Sequence, residues 1–389
     1  MTTATNITGT TDPRFRAVED AFRENFNRFP ELGSALCVYV DGKPVVDIWG
    51  GFADAARTRP WERDTVVNVW STTKGIVAAC AHRLADQGKL DLDAPVAKYW
   101  PEFAQAGKEK LPVRYLLSHQ AGLSALIDPM PIGSMFSWQA MTDALAKQEP
   151  WWEPGTKHGY HAFTYGWLVG EVIRRVSGKS VRDYVRDELA VPLGLDFQIG
   201  LAESDYARAA DCLTDPSPPD PDNFLLASLS DPTSITFKAI MNPPDAMLPG
   251  NVNSREWRTA EIPAANGHTT ARSVARLYAA LSLGGELDGV RLMSRESVAR
   301  AATEQCYGPD EVIKLPMRWA LGFGLSSEGV DIGPNPHAFG HSGFGGSLGL
   351  ADPDARIGFG YVMNQMLNTN TLGDDRWAPL LEAVYAAVG

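Results

Sequence analysis

Cysteine is scarce in this chain, and its four copies (Cys37, Cys80, Cys212 and Cys306) are scattered with no Cys-x-x-Cys pair. Paired-thiolate metal sites and redox dithiols have no foothold, so buried free thiols are expected rather than disulfides. Positive charge is also short: 35 Lys and Arg against 47 Asp and Glu leave a net charge of −12. A surface of that sign repels nucleic acid and anionic lipid, so neither is expected as a partner. No apolar run approaches the roughly 20 residues of a membrane span. The opening stretch, Met1-Thr-Thr-Ala-Thr-Asn-Ile-Thr-Gly9, lacks both the basic region and the apolar core of a secretory leader, and a cytoplasmic location is expected. His-Glu-x-x-His, Gly-x-x-x-x-Gly-Lys-Ser/Thr and a Gly-x-Gly-x-x-Gly turn after a strand are all missing. Bound metals, nucleotides and dinucleotide cofactors are therefore not expected. Nor is the Gly-x-Ser-x-Gly nucleophile elbow, which sets the α/β-hydrolase fold aside.

What the chain does have is material for a large core. It is 389 residues long and 44% hydrophobic, enough for two closely associated domains. Asp12 and Pro13 read as a helix start, with Phe15, Val18, Phe22 and Phe26 on one apolar stripe. Residues 35–40 and 45–49 read as strands joined by the two-residue turn Asp41-Gly42. A helix beginning at Ser71 is expected to stop at Gln87-Gly88. From there to about residue 265 no strand is expected. Helical stretches at 141–148, 165–176 and 181–189 alternate with loops such as Ser217-Pro-Pro-Asp-Pro-Asp222 and Asn242-Pro-Pro-Asp245. The last third turns to a helix over 270–283, a strand over 318–325, a hairpin of 348–351 with 357–363, and a terminal helix from about Asp375. Strands at both ends with helices between them predict one sheet built from residues 1–70 and 268–389, with a mainly helical domain, 71–267, inserted.

The chemistry concentrates at Ser71-Thr72-Thr73-Lys74. In a helix, positions i and i+3 share a face, so Lys74 Nζ can reach Ser71 Oγ. A serine hydroxyl needs an activator to attack a carbonyl, and a desolvated lysine is one. The helix N-terminus adds free N–H groups and a positive dipole end where negative charge would develop. The competing reading makes Ser71 a helix cap and Lys74 a solvated charge. His82, eleven residues on, lies about 16 Å along the helix and is too far to be the base. Cys80 faces the opposite side. His119 reads as a loop brace, and Trp151, Trp152, Trp138 and Phe136 as core aromatics or as the lining of an acyl pocket.

Three further segments accompany Ser71. They are Leu116-Leu-Ser-His-Gln-Ala-Gly-Leu123, Gly155-Thr-Lys-His-Gly-Tyr160-His-Ala162 and Phe339-Gly-His-Ser-Gly-Phe344-Gly-Gly346. With them, the chain resembles the serine β-lactamase and penicillin-recognising superfamily from about Ala35 onward, nearest to class C β-lactamases and the family VIII carboxylesterases. The resemblance implies an α/β (α+β) β-lactamase-like fold, with an antiparallel sheet flanked by helices. It makes Ser71 the acylated nucleophile, Lys74 its base and Tyr160 a proton shuttle. His341, Ser342 and Gly343 stand at the Lys-Thr-Gly strand, and Phe344 gives the second oxyanion N–H beside that of Ser71. Two positions depart from the family pattern: Ala162 replaces the asparagine of Tyr-x-Asn, and His341 replaces a fixed lysine cation. Losing an amide and a permanent charge disfavours carboxylate-bearing lactams and leaves ester cleavage intact. A serine carboxylesterase acting on small-molecule short-chain or aryl esters is thus expected. An acyltransferase, a β-lactamase or a D-aminopeptidase of the same fold are the alternatives. A catalytically silent binding protein is another, and the joint presence of Ser71, Lys74 and Tyr160 argues against it.

Overall fold

The Asp12 carboxylate accepts the Arg14 N–H at 3.0 Å, and Pro13 follows where a missing N–H costs nothing. Helix α1 (Arg16–Arg28) then buries Val18 and Phe22, with Phe15 just ahead of it. The structure is a computed structural model that describes residues 6–215, 230–328, 330, 332–367 and 373–389; the Ser217 to Asp222 loop lies outside them. Strands β2 (Gly33–Val40) and β3 (Lys43–Gly51) are joined by Asp41 and Gly42, both at positive φ as a two-residue hairpin turn requires. An edge strand not foreseen, β1 (Ile7–Thr11), pairs with β3. Its sequence, ITGTT, carries one apolar residue and therefore no alternation.

Three very short strands, β4 (Val67–Asn68), β5 (Phe197–Ile199) and β6 (Gly267–Thr269), form a small sheet in the order β4-β6-β5. β5 corrects the expectation of no strand between residues 88 and 265: at three residues it is too short for a period-two pattern. The small sheet also joins strands from both sides of the divide drawn at residues 70/71 and 267/268. A separate hairpin follows, β7 (Glu286–Leu287) with β8 (Val290–Arg291). The remaining strands are β9 (Cys306–Pro309), β10 (Pro316–Trp319), β11 (Gly324–Leu325), β12 (Phe339–Ser342), β13 (Leu348–Asp352) and β14 (Ile357–Met363). The single strand expected over 318–325 is thus two, β10 and β11. They are folded back on each other at Gly322, whose φ of +88° makes the turn.

Among the described residues the main sheet has nine strands, all antiparallel, in the order β1-β3-β2-β14-β13-β12-β11-β10-β9. N-terminal and C-terminal strands meet along β2 and β14, paired from Ser34↔Met363 to Val40↔Ile357. Helices cover both faces, which is why β2 is buried along nearly its whole length. Among the described residues the long helices after α1 are α2 (Thr72–Asp86), α3 (Trp138–Lys147), α4 (Thr164–Ser177), α5 (Ala271–Ser282) and α6 (Trp377–Val388). α2 stops as its sequence dictates, with Gly88 at φ +69° just beyond the end. α5 lies unusually close to the sheet. A Cβ on Gly358 would sit 2.3 Å from Ala279 N, and one on Gly360 2.4 Å from Ala271 O. Among the described residues no helix is long and apolar enough to cross a membrane, and all four cysteines are free.

Candidate active site

Between β4 and α2 the chain must turn sharply, and Trp70 takes the strain. Its φ is +45°, a conformation costly for a bulky side chain, and burial against Trp257 (ring centroids 5.4 Å apart) holds it there. The turn delivers Ser71 to the mouth of α2 with φ −68° and ψ −12°. Its hydroxyl makes no capping bond to the helix, so the helix-cap reading fails. Instead Lys74 Nζ donates to Ser71 Oγ at 2.8 Å and to Ala264 O at 3.0 Å. Lys74 is wholly buried, and no carboxylate pairs with it among the described residues. Burial alone therefore pushes its ammonium well below the usual lysine range.

Lys74 Nζ also lies 4.9 Å from the centre of the Tyr160 ring. Tyr160 is held by its backbone and by its face. Its N–H donates to Asp310 Oδ1 at 3.0 Å, and its ring stacks on Trp319 at 5.4 Å with 8° between planes. Burial raises the phenol above its ordinary value, partly offset by hydrogen bonding with Ser71. The resting tyrosine therefore keeps its proton. Asp310 is a site residue that sequence reasoning missed. It is buried, accepts the N–H groups of Tyr160, Val312 and Ile313, and takes Trp319 Nε1–H at 3.3 Å. Gly-Pro-Asp at 308–310 reads as an ordinary turn, so no local signal marks it.

His341 stands on β12 opposite Gly349. Its Nδ1 lies 2.7 Å from Ser342 O, so that nitrogen carries the ring proton and Nε2 is a bare acceptor. Burial, with the nearby Lys74 charge second, lowers its pKa to about 3, and the ring is neutral at ordinary pH. Beyond β12 the chain makes a tight turn in which Gly343 N–H donates to Ser347 O at 2.8 Å. A Cβ on Gly343 would meet Val69 O at 2.2 Å, so only glycine lets this turn press against the α2 entrance. Ser347 Oγ donates to Val69 O (2.8 Å) and shares a hydrogen bond with Thr72 Oγ1 (2.9 Å). Phe344, at the turn's tip, packs edge-on against Trp70 at 5.5 Å. Among the described residues no hydrogen bond within the protein uses the Ser71 or the Phe344 N–H. Ser71, Lys74, Tyr160, His341, Ser342, Gly343 and Phe344 thus come together around one helix start.

The other candidates sort by contact. His119 Nδ1 accepts the His161 N–H at 3.1 Å, bracing the loop that carries Tyr160. His82 bonds Leu321 O at 2.8 Å, away from Ser71. Trp138 Nε1–H is tied to Glu171 at 2.7 Å and its face to Arg174, so it serves the α3–α4 packing and not an acyl pocket. Trp151 donates to Ala125 O at 2.8 Å and borders the same small apolar cluster as Tyr160. The expectation that Gly-x-Ser-x-Gly is missing needs correcting: Gly345-Gly346-Ser347-Leu348-Gly349 has that form. It lies in a strand-to-strand turn, with the Ser347 hydroxyl buried and bonded, and not at a strand-to-helix elbow.

The pattern of the beta-lactamase family matches residues 22–383. The chain belongs to the beta-lactamase family. Within it, the chain is 39% identical over 376 residues to the esterase/beta-lactamase LipL of Mycobacterium tuberculosis, covering 95% of this chain and 85% of that relative. The crystal structure of a family VIII carboxylesterase superposes with a TM-score of 0.90 at 43% identity, over 98% of this chain and all of that one (100%). A penicillin-binding protein homologue from Caulobacter crescentus matches with a TM-score of 0.90, 40% identity and the same coverage, 98% and 100%. Fold and family relatives together make this chain a serine hydrolase on the β-lactamase fold.

Proposed function

We propose that the enzyme is a carboxylesterase that cleaves neutral short-chain or aryl esters through an acyl-enzyme on Ser71. The observation that carries this reading is the pairing of a buried Lys74, with no carboxylate partner among the described residues, with Ser71 Oγ at 2.8 Å, across from a neutral His341. A lysine whose ammonium is disfavoured by burial is available as a base. It takes the Ser71 proton as Oγ attacks the ester carbonyl. The N–H groups of Ser71 and Phe344 receive the oxyanion, a contribution of about 10²–10³ in turnover per donor. Collapse breaks the ester C–O bond, and Tyr160 gives its proton to the departing alkoxide, recovering one from the Lys74 ammonium. Water then attacks the acyl-enzyme by the reverse of these transfers.

Ester preference follows from two departures from the family pattern, His341 and Ala162. A substrate carboxylate would meet neither a fixed cation at position 341 nor an amide at 162, so anionic lactams gain no anchor. Incubation with p-nitrophenyl acetate, butyrate and octanoate, beside the cephalosporin nitrocefin, tests the assignment. Rapid ester turnover with weak or undetectable nitrocefin cleavage is expected. Comparable specificity constants for nitrocefin and p-nitrophenyl butyrate would place the activity with the β-lactamases. Fluorophosphonate treatment followed by peptide mass spectrometry should put the adduct on Ser71, and an adduct on another serine sinks the mechanism.

A further inference from the structure

An oxyanion site made of two backbone N–H groups works only if both are held at a fixed spacing. Here they come from segments 273 positions apart, Ser71 at the start of α2 and Phe344 in the β12–β13 turn. One side of that turn is tied to α2 by Thr72 and Ser347. The other side is gripped from α6 and the residue before it. Arg376 Nη2–H donates to Gly345 O at 2.6 Å, and Trp377 Nε1–H donates to Gly346 O at 2.7 Å. These are the carbonyls of the two residues directly after Phe344.

The grip is itself fixed. All five guanidinium N–H groups of Arg376 are used. They go to Asp374 (2.8 and 2.7 Å), Glu31 (3.1 Å), Gln365 O (3.0 Å) and Gly345 O. Arg376, Asp374 and Glu31 are all buried, and Tyr361 Oη–H donates to Glu31 at 2.6 Å. A rigid fork of donors in a dry site cannot adjust by swinging to water. The turn has been cut to fit it: Gly345 and Gly346 stand at φ +82° and +127°. A Cβ on Gly346 would lie 2.1 Å from Arg376 Nη2. The Gly345–Gly346 peptide, whose oxygen Arg376 holds, gives its N–H to Gly343 O at 3.0 Å, and the Gly343 carbonyl shares one peptide plane with the Phe344 N–H.

We infer that Arg376 and Trp377 are positioning residues for catalysis: by clamping the Gly345 and Gly346 carbonyls they aim the Phe344 N–H at the developing oxyanion. They touch no reacting atom and act through the turn. This inference rests on the acyl-enzyme reading of Ser71, which fluorophosphonate labelling of the wild type tests by itself. Failure of labelling at Ser71 removes both, whereas a labelled, ester-cleaving wild type leaves the clamp to be judged alone.

The primary variant is Trp377→Phe, which keeps an aromatic ring and deletes the one N–H. Arg376→Lys, which keeps the charge but not the fork, is the second. Thermal melts establish that each is folded before assay. The expected result for Trp377→Phe is a kcat on p-nitrophenyl butyrate lower by about 10- to 100-fold, less than outright removal of an oxyanion donor. KM should stay within about three-fold, because the ground-state carbonyl draws little on that donor. Inhibition by phenylboronic acid, whose tetrahedral adduct on the nucleophile needs the oxyanion site, should weaken by the same factor as kcat/KM. A merely structural role would lower activity with the folded fraction and leave the boronate constant of the folded enzyme unchanged. A folded Trp377→Phe or Arg376→Lys enzyme with wild-type kcat overturns the inference, and so does a loss of kcat without weaker boronate inhibition.

Discussion

At the scale of single residues, proton traffic between Ser71, Lys74 and Tyr160 sets the expectations. Ser71→Ala should abolish ester hydrolysis with the melting temperature unchanged, since the hydroxyl makes no capping bond that the helix would miss. Lys74→Met and Tyr160→Phe should each cost about 10²–10⁴ in kcat. The double variant should fall far short of the product of the two losses, because the groups work on one proton relay. The pH profile follows from burial. Lys74 is the base only when unprotonated, so activity is lost as pH falls through its folded pKa, which burial sets well below the usual lysine value. His341, at about 3, stays neutral across the working range. The acidic limb of kcat/KM should therefore belong to Lys74, and His341→Gln should leave that limb in place. A limb that shifts by more than about half a pH unit in His341→Gln would assign it to the histidine.

At the scale of elements, helix α5 rests on glycines of β14, and that contact can be probed directly. Gly358→Ala would force a methyl onto the α5 backbone, 2.3 Å from Ala279 N. A destabilisation of about 1–3 kcal/mol is expected from such overpacking, read as a lower denaturant midpoint with an unchanged slope. Elements with strong local chemistry were legible in the chain. Asp12-Pro13, Asp41-Gly42 and Gly88 punctuate helix and hairpin as their side chains and φ values require, and the long amphipathic stretches became helices. The pieces that were not legible are short or defined by distant partners. β5 has three residues, β1 has one apolar side chain, and Gly322 splits an apparent single strand. The site divides in the same way. The Ser71–Lys74 pair was readable because it is local to one turn of helix. Asp310, Trp319, Arg376 and Trp377 were not, because what they grip lies far away in sequence: Tyr160 for Asp310, and Gly345 and Gly346 for the last two.

For the whole molecule, burial of neutral imidazoles should govern acid stability. His161, His268 and His341 are held at about 3 and His82 at about 4, in each case chiefly by burial. The unfolded chain takes up these protons near pH 6.5 while the folded one does not, so protonation favours unfolding. The stabilisation is complete above pH 6.5 and drains away as pH falls toward 3–4, at about 1.4 kcal/mol per pH unit for each histidine. Chemical denaturation at pH 7.5 and pH 5 should show a clear loss at the lower value; equal midpoints would mean that the imidazoles are already solvated. Substrate choice is also a property of the assembled surface. His341→Lys restores a cation beside the nucleophile, and is expected to raise turnover of anionic substrates relative to neutral esters.

The seam between β2 and β14 bears on how the protein is made. β2 leaves the ribosome well before the strand that covers its edge, which is translated about 300 residues later. At roughly 5–20 residues per second, that edge waits some 15–60 s for its partner. Throughout that interval the nascent chain presents an apolar strand with unmet N–H and C=O groups, the kind of surface on which chains associate wrongly. Yield of the intact protein should therefore depend on chaperone capacity during synthesis more than on the stability of the finished fold.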